Sequence, residues 1–284
     1  MLEIERPEIL PLGDFYPIDR AGYVLNRCAM AHVTGEWKAL ADAAVKICRK
    51  RLGANLLAVY LRGSVPAGTA IAGLSDLDLV ALCNTKPKKQ FSRWYCPEWA
   101  AKAALELQAN HPVANGIDLM CADHDPEIPG QNPRIKMMLQ TQAICLWGQN
   151  LLAKWPRFRP GPEMALHYRW LKSDIHAFRA AMQTATANTQ QLRSLLKTII
   201  RSGFELIMEK EGKFATDLYP CWQAFGHHFP AHKAQMATAL HIFLAPELAK
   251  TLLLPLLEEL GSWLVLQWSK KRPELGWDRS SLED

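Results

Sequence analysis

A mixed α+β chain is predicted: a domain with a small mixed sheet, followed by an all-α helical bundle domain. Three observations predict it. Short apolar runs at 56–61, 77–83 and 117–121 are separated by turn residues and by stretches with helical spacing. A Pro/Gly-containing segment at 154–162 then interrupts the pattern. Beyond it the apolar residues recur at helical spacing almost to the end. The expected domains are 1–153, with 1–20 as a proline-rich extended arm, and 154–284.

In chain order, 37–53 is predicted to be a helix with Leu40, Ala44, Ile47, Cys48 and Leu52 as its apolar stripe and Gly53 as its stop. Strand one follows at 56–61, then a glycine-containing loop and strand two at 77–83. Residues 84–93 form a polar basic loop, and Pro97 and Glu98 suit the first turn of a helix over 97–109. Strand three is 117–121, 123–133 is a loop, 134–140 a short helix and 143–147 a further strand. The helical half is predicted at 163–183, 189–210, 219–228, 231–244 and 246–269.

With 284 residues, 49% of them hydrophobic and 21% charged, the chain can bury one large core or two modest ones. A net charge of +5 is compatible with a polyanionic partner, such as a nucleoside triphosphate or a nucleic acid. The seven cysteines are scattered without a CxxC pair, which argues against a disulfide framework and a structural zinc site. The N-terminal residues lack the basic-then-apolar pattern of a signal sequence. The longest apolar segments are broken by Pro255, Glu258 and Glu259, short of the roughly 20 residues that cross a bilayer. No membrane association is expected, and the cytoplasm is the expected compartment.

Chemistry concentrates in 61–82, LRGSVPAGTAIAGLSDLDLVAL. Asp76 and Asp78 alternate with Leu77 and Leu79, so both carboxylates project from one side of strand two, about 7 Å apart. Like charges so placed are poor for structure alone and suited to holding a divalent cation. Asp118 interrupts the apolar strand three, and from a neighbouring strand it can converge on the same point, as a further metal ligand or as a base. Gly63 permits close backbone approach, and Ser64 adds a hydroxyl and an N–H suited to a phosphate. Arg62 beside them is a phosphate candidate. No His/Asp partner at a motif spacing makes Ser64 a nucleophile.

An apolar strand, Gly63–Ser64, a spacer, Asp76-x-Asp78 within an apolar run and a later strand acid, Asp118, resemble the signature of the DNA polymerase beta-like nucleotidyltransferase superfamily. The resemblance covers roughly 36–150. It implies that the first domain is a nucleotidyltransferase domain. It also implies Mg²⁺-dependent transfer of a nucleoside monophosphate, AMP from ATP being favoured, to a hydroxyl, with pyrophosphate leaving. An α/β unit followed by helices looks most like the antibiotic adenylyltransferases of that superfamily, though the helical half matches them only in outline. Related enzymes use basic residues of the C-terminal domain on the phosphates. That makes Lys197 and Arg201, in the row Arg193, Lys197, Arg201, Glu205, Glu209, further candidates. The plain alternative for that row is a solvent face with an Arg201–Glu205 pair.

Other features have bland readings. Tyr219, Trp222, Phe225 and Phe229 sit at helical spacing and read as core. The adjacent His227 and His228 face different sides and lack metal spacing. Asp217 reads as an N-cap or loop acid. Trp94, Tyr95 and Trp99 are candidates for lining an acceptor pocket. Transfer to an RNA end or a protein side chain, with nucleic acid possible but not favoured, and a non-catalytic nucleotide-binding protein are the competing functions.

Overall fold

The computed structural model describes residues 6–84, 95–124 and 133–274. Most of the expected basic loop at 84–93 and of the loop at 123–133, and Trp94, lie outside the described residues. The chain divides into two compact units. Leu25–Phe158 forms a sheet unit; Arg159 onward, with the described residues up to Val24, forms a helical unit.

In the sheet unit, α1 (Gly35–Leu52) ends at Gly53, whose φ of 53° and N–H bond to the Arg49 carbonyl stop the helix. Then come β1 (Leu56–Arg62), a one-turn α2 (Ser64–Ala67), β2 (Leu77–Cys83), α3 (Glu98–Asn110), β3 (Ile117–Asp123), α4 (Pro133–Gln142) and β4 (Ala143–Gly148). The strand order is β3-β2-β1-β4, with β2 and β3 parallel and β1 antiparallel to both β2 and β4. The sheet is therefore mixed, as expected.

Strand alternation sorts the side chains onto two faces. Val59, Leu61, Leu77, Leu79, Ala81, Leu119 and Cys121 lie on one face with Leu40, Ala44 and Cys48 of α1 and Ala100, Ala103 and Leu107 of α3. Ala58, Tyr60, Val80, Leu82 and Ala122 lie on the other with Ile135 and Leu139 of α4. Burial pushes the Tyr60 phenol up to about 12. Its hydroxyl accepts from the Leu151 N–H at 2.9 Å and donates to the Gln149 carbonyl at 3.3 Å, which anchors the chain beyond β4. All seven cysteines are free, and Cys48, Cys83 and Cys121 serve as small core residues.

The helical unit is built on α6 (Thr189–Glu205), which packs against α5 (Tyr168–Gln183), α8 (Leu218–His228), α9 (Lys233–Leu244) and α11 (Ser262–Glu274). Asn188 and Gln191 form a reciprocal capping box at its start. Leu192, Leu195, Leu196, Ile199 and Ile200 are its buried stripe. At Gly203 an added Cβ would stand 3.1 Å from the Phe225 ring and closer still to Met236, so glycine here sets how near α8 and α9 come.

Three sequence expectations differ from the structure. The expected division at 153/154 falls five residues before the observed one, and the 1–20 arm belongs with the helical unit instead of the sheet. Tyr16 N–H bonds the Phe214 carbonyl at 2.8 Å, and Asp14 N–H bonds Asp217 Oδ2 at 3.1 Å. Asp217 thus sits at the N-cap position of α8 without capping it. The single helix expected over 246–269 is two, α10 (Ala249–Leu256) and α11, joined by a π-type stretch, Leu257–Gly261. Pro255 lacks the N–H that would continue the α-helical ladder. The helix expected over 189–210 breaks after Glu205, and a short α7 (Met208–Glu211) follows.

Candidate active site

One end of the sheet gathers the sequence-predicted acids. Asp78 pairs in register with Asp118 across the parallel β2/β3 ladder, and with Arg62 across the antiparallel β1/β2 ladder. Register partners on neighbouring strands point the same way, about 4.8 Å apart along the sheet. By alternation Asp78 shares the face of Val80 and Leu82, and Asp118 that of Ala122, which is the α4 face. Asp76 precedes β2, and an added Cβ at Gly116 would stand 3.0 Å from its Oδ1. Its carboxylate therefore lies over the backbone two residues before Asp118. Asp78, Asp118 and Arg62 thus share one end of one face, with Asp76 in the turn that precedes β2.

Gly63 is required by that arrangement. Its φ is 85°, a region that L side chains rarely adopt, and an added Cβ would collide with Asp78 Oδ2. The bend lets β1 turn directly into α2 while Asp78 lies against bare backbone. The loop beyond is held from outside: the Pro66 carbonyl accepts from the Ala29 N–H at 2.9 Å and lies 2.8 Å from His32 Nδ1. Gly68, at φ 76°, ends α2. Ser64 is half-buried at the bend.

Arg62 Nη2 donates to Asp78 Oδ1 at 3.1 Å, with the two side chains 27% and 23% exposed. At that burial the pair is better shielded than a surface salt bridge. Arg62 provides positive charge where two aspartates stand side by side. Asp76 and Asp118 are exposed.

The donor set suits Mg²⁺, a hard cation that takes carboxylate oxygens. Among the described residues no three His, Cys, Asp or Glu side chains are grouped so as to hold a metal ion. Asp76 and Asp78 are the residues that would hold it, with Asp118 alongside.

In the helical unit the two cationic candidates have different surroundings. Lys197 is exposed on α6, and its Nζ lies 5.8 Å from the centre of the Phe243 ring, with Arg193 over the same ring at 5.8 Å. Arg201 is drawn inward: Nε donates to the Thr216 carbonyl at 2.8 Å, and Nη1 lies 3.5 Å from His167 Nε2. Burial pulls its pKa below the ordinary arginine value. The alternative Arg201–Glu205 pair is not what Glu205 does. Its buried carboxylate accepts from the Leu166, His167 and Tyr168 N–H groups at 2.7, 2.9 and 3.0 Å, and Oε1 lies 2.8 Å from His167 Nδ1. A glutamate at the end of α6 thus satisfies the start of α5.

The remaining candidates fall as follows. Trp99 packs against the sheet core, and Tyr95 bridges Cys121 backbone to backbone, with N···O distances of 3.0 and 2.8 Å. Phe225 is fully buried, with Phe229 5.1 Å away, while Trp222 is half-buried. His228 Nε2 meets Glu211 Oε1 at 2.7 Å, which with Lys213 holds that carboxyl below its usual range. Sequence reasoning misses Gly116 and the Arg62–Asp78 contact; the glycine immediately before Ile117 and Asp118 is the one available signal. No helix among the described residues is long and apolar enough to cross a membrane.

No family model and no curated protein matches the chain. Among solved structures the chain is similar to spectinomycin adenyltransferase AAD(9) from Enterococcus faecialis, crystallised with ATP and spectinomycin. The TM-score is 0.40 and the identity 16%, over 73% of this chain and 90% of that one. A likeness that slight carries no conclusion about chemistry, which rests on the residues at the end of the sheet.

Proposed function

We propose that the protein is a Mg²⁺-dependent nucleotidyltransferase that moves a nucleoside monophosphate, AMP from ATP, onto a hydroxyl of a small-molecule acceptor. The observation that carries this reading is the register pairing of Asp78 with Asp118, with Asp78 lying against Gly63 and Asp76 against Gly116. It is supported by the resemblance of the Gly63–Ser64, Asp76-x-Asp78 and Asp118 pattern to the nucleotidyltransferase superfamily.

When bound between Asp76, Asp78 and the triphosphate, Mg²⁺ would supply charge neutralisation at the phosphorus under attack and at the leaving group. Asp118 accepts the proton of the acceptor hydroxyl as its oxygen bonds to the α-phosphorus. The bond from that phosphorus to the bridging oxygen breaks, and pyrophosphate leaves with the electron pair. The Ser64 hydroxyl and N–H hold a phosphate oxygen. Arg62, which donates to Asp78, is placed to donate to a phosphate oxygen as well.

The test is pyrophosphate release from ATP and Mg²⁺ across a panel of polyhydroxylated acceptors, aminocyclitols included. Asp78→Asn is expected to lower turnover at least a hundredfold while the protein remains folded. Absence of Mg²⁺-dependent ATP binding in the unaltered protein would sink the proposal.

A further inference from the structure

The opposite end of the same sheet carries a second, unassigned feature. A recess of about 390 Å³ is lined by Lys46, Arg49, Lys50, Gly53 and Trp147. Three of its five lining residues are cations and none is an acid. Among the described residues none of the three is ion-paired. Lys46 and Lys50 are one helical turn apart and Arg49 is three residues from Lys46, so the three charges share a side of α1. Attraction to the helix C-terminus accounts for basic residues in the last turn. It does not account for a cluster facing one tryptophan.

The tryptophan is aimed there by a bulge. Along the β1/β4 ladder, Val59 pairs with Trp147 but Tyr60 pairs with Cys145, which leaves Leu146 as the extra residue. The irregularity puts Trp147 opposite Val59, on the α1 face, instead of leaving it to alternate onto the α4 face. There the Arg49 guanidinium lies 5.1 Å from the centre of the Trp147 ring. Gly53 has nothing within 4 Å of where its Cβ would be, so this wall of the recess is open.

We infer that this recess binds single-stranded nucleic acid, RNA in the form tested below. Lys46 and Lys50 contact successive phosphates, and the Arg49–Trp147 stack offers a flat surface to a base. A phosphodiester chain satisfies both features at once, whereas an acidic peptide uses only the charge. Lys46, Arg49, Lys50 and Gly53 are all exposed. Walls so open do not enclose a free mononucleotide, which small-ligand pockets largely bury. They suit a strand that continues beyond them. The inference is independent of the chemistry proposed at the acidic end: Trp147 pairs with Val59, three residues along β1 from Arg62, and so lies about 10 Å away.

The test is fluorescence anisotropy of a labelled single-stranded RNA oligomer with the full chain, titrated at several salt concentrations. The double variant Lys46→Glu/Lys50→Glu changes only exposed side chains, and circular dichroism checks that it is folded. It is expected to weaken binding at least tenfold. Its slope of log affinity on log salt is expected to be shallower by about 1.4, two phosphate contacts fewer at about 0.7 each. Arg49→Lys, which keeps the charge and removes the planar stack, is expected to weaken binding several-fold. Asp78→Asn is expected to bind as the unaltered protein does, which separates this surface from the acidic end. The inference is overturned if the unaltered chain does not bind the oligomer or if the double variant binds it equally well. It is also overturned if inorganic triphosphate displaces the oligomer at equimolar phosphate, since the recess then serves a small polyanion.

Discussion

At Gly63 two requirements meet in one residue: a backbone angle of 85° and an absent side chain, so that Asp78 can lie against the turn. The second requirement decides where the carboxylate sits. Gly63→Ala is expected to destabilise the sheet unit by about 1–2 kcal/mol through the strained φ. It is also expected to displace the Asp78 carboxylate and break its 3.1 Å contact with Arg62. Activity should therefore fall far more than stability does. Urea unfolding alongside pyrophosphate release separates the two. A variant that loses stability but keeps its turnover would show that Asp78 has no fixed position to lose. The direction of Asp78 is legible from sequence, since alternation within β2 sets its face, whereas Asp76 lies before the strand. Their glycine counterpart at Gly116 is not legible, because its role depends on a side chain forty residues earlier in the chain.

Among the elements, those set by local signals are legible in the sequence and those set by distant partners are not. Strand β2 runs over the predicted 77–83, since its apolar alternation begins after the acidic turn and ends at a polar loop. Helix α1 stops at Gly53 for a reason written in the residue itself. The β4 bulge, by contrast, is a property of how β4 pairs with β1 and leaves no mark in AICLWG alone. Glu205 looks like part of a solvent-facing row because its spacing from Arg201 is that of an exposed pair. Its actual partners are backbone groups 37 to 39 residues earlier. Substitution there tests the assignment. Glu205→Gln replaces a carboxylate that accepts three N–H groups with an amide whose NH2 end accepts none, so at least one donor at the start of α5 loses its partner. The expected loss is about 2–3 kcal/mol. It should be read as faster hydrogen exchange at residues 168–172 than at the middle of α6. Uniform exchange across both helices would mean that Glu205 does not cap α5.

At the scale of the whole molecule, the chain begins in one unit, crosses to build the other, and returns. The sheet unit is therefore an insertion between an N-terminal strap and the helices that the strap joins. Proline-rich composition suggests an extended arm, but composition does not say which partner it lies against. The strap is held through specific contacts. Tyr16 is 5% exposed, its ring is 5.0 Å from Phe214 and its N–H is bonded to the Phe214 carbonyl, while the Phe15 ring lies 6.0 Å from that of Phe204 in α6. Asp19 Oδ1 accepts from the Ala21 and Tyr23 N–H groups, each at 2.9 Å, which turns the strap back on itself. The Arg159 guanidinium lies 4.5 Å from the centre of the Tyr23 ring, so the chain's return to the helical unit is fastened beside its departure. A chain that starts at Leu25 is accordingly expected to leave the sheet unit intact and to weaken the helical one. Loss of one buried aromatic and its hydrogen bond corresponds to about 3 kcal/mol, or roughly a hundredfold in exchange rate for amides that open with that unit. Hydrogen exchange resolved by segment should show α6 and α8 losing protection while β1, β2 and β3 keep theirs. If the strands lose protection instead, the strap supports the sheet and is no part of the helical unit.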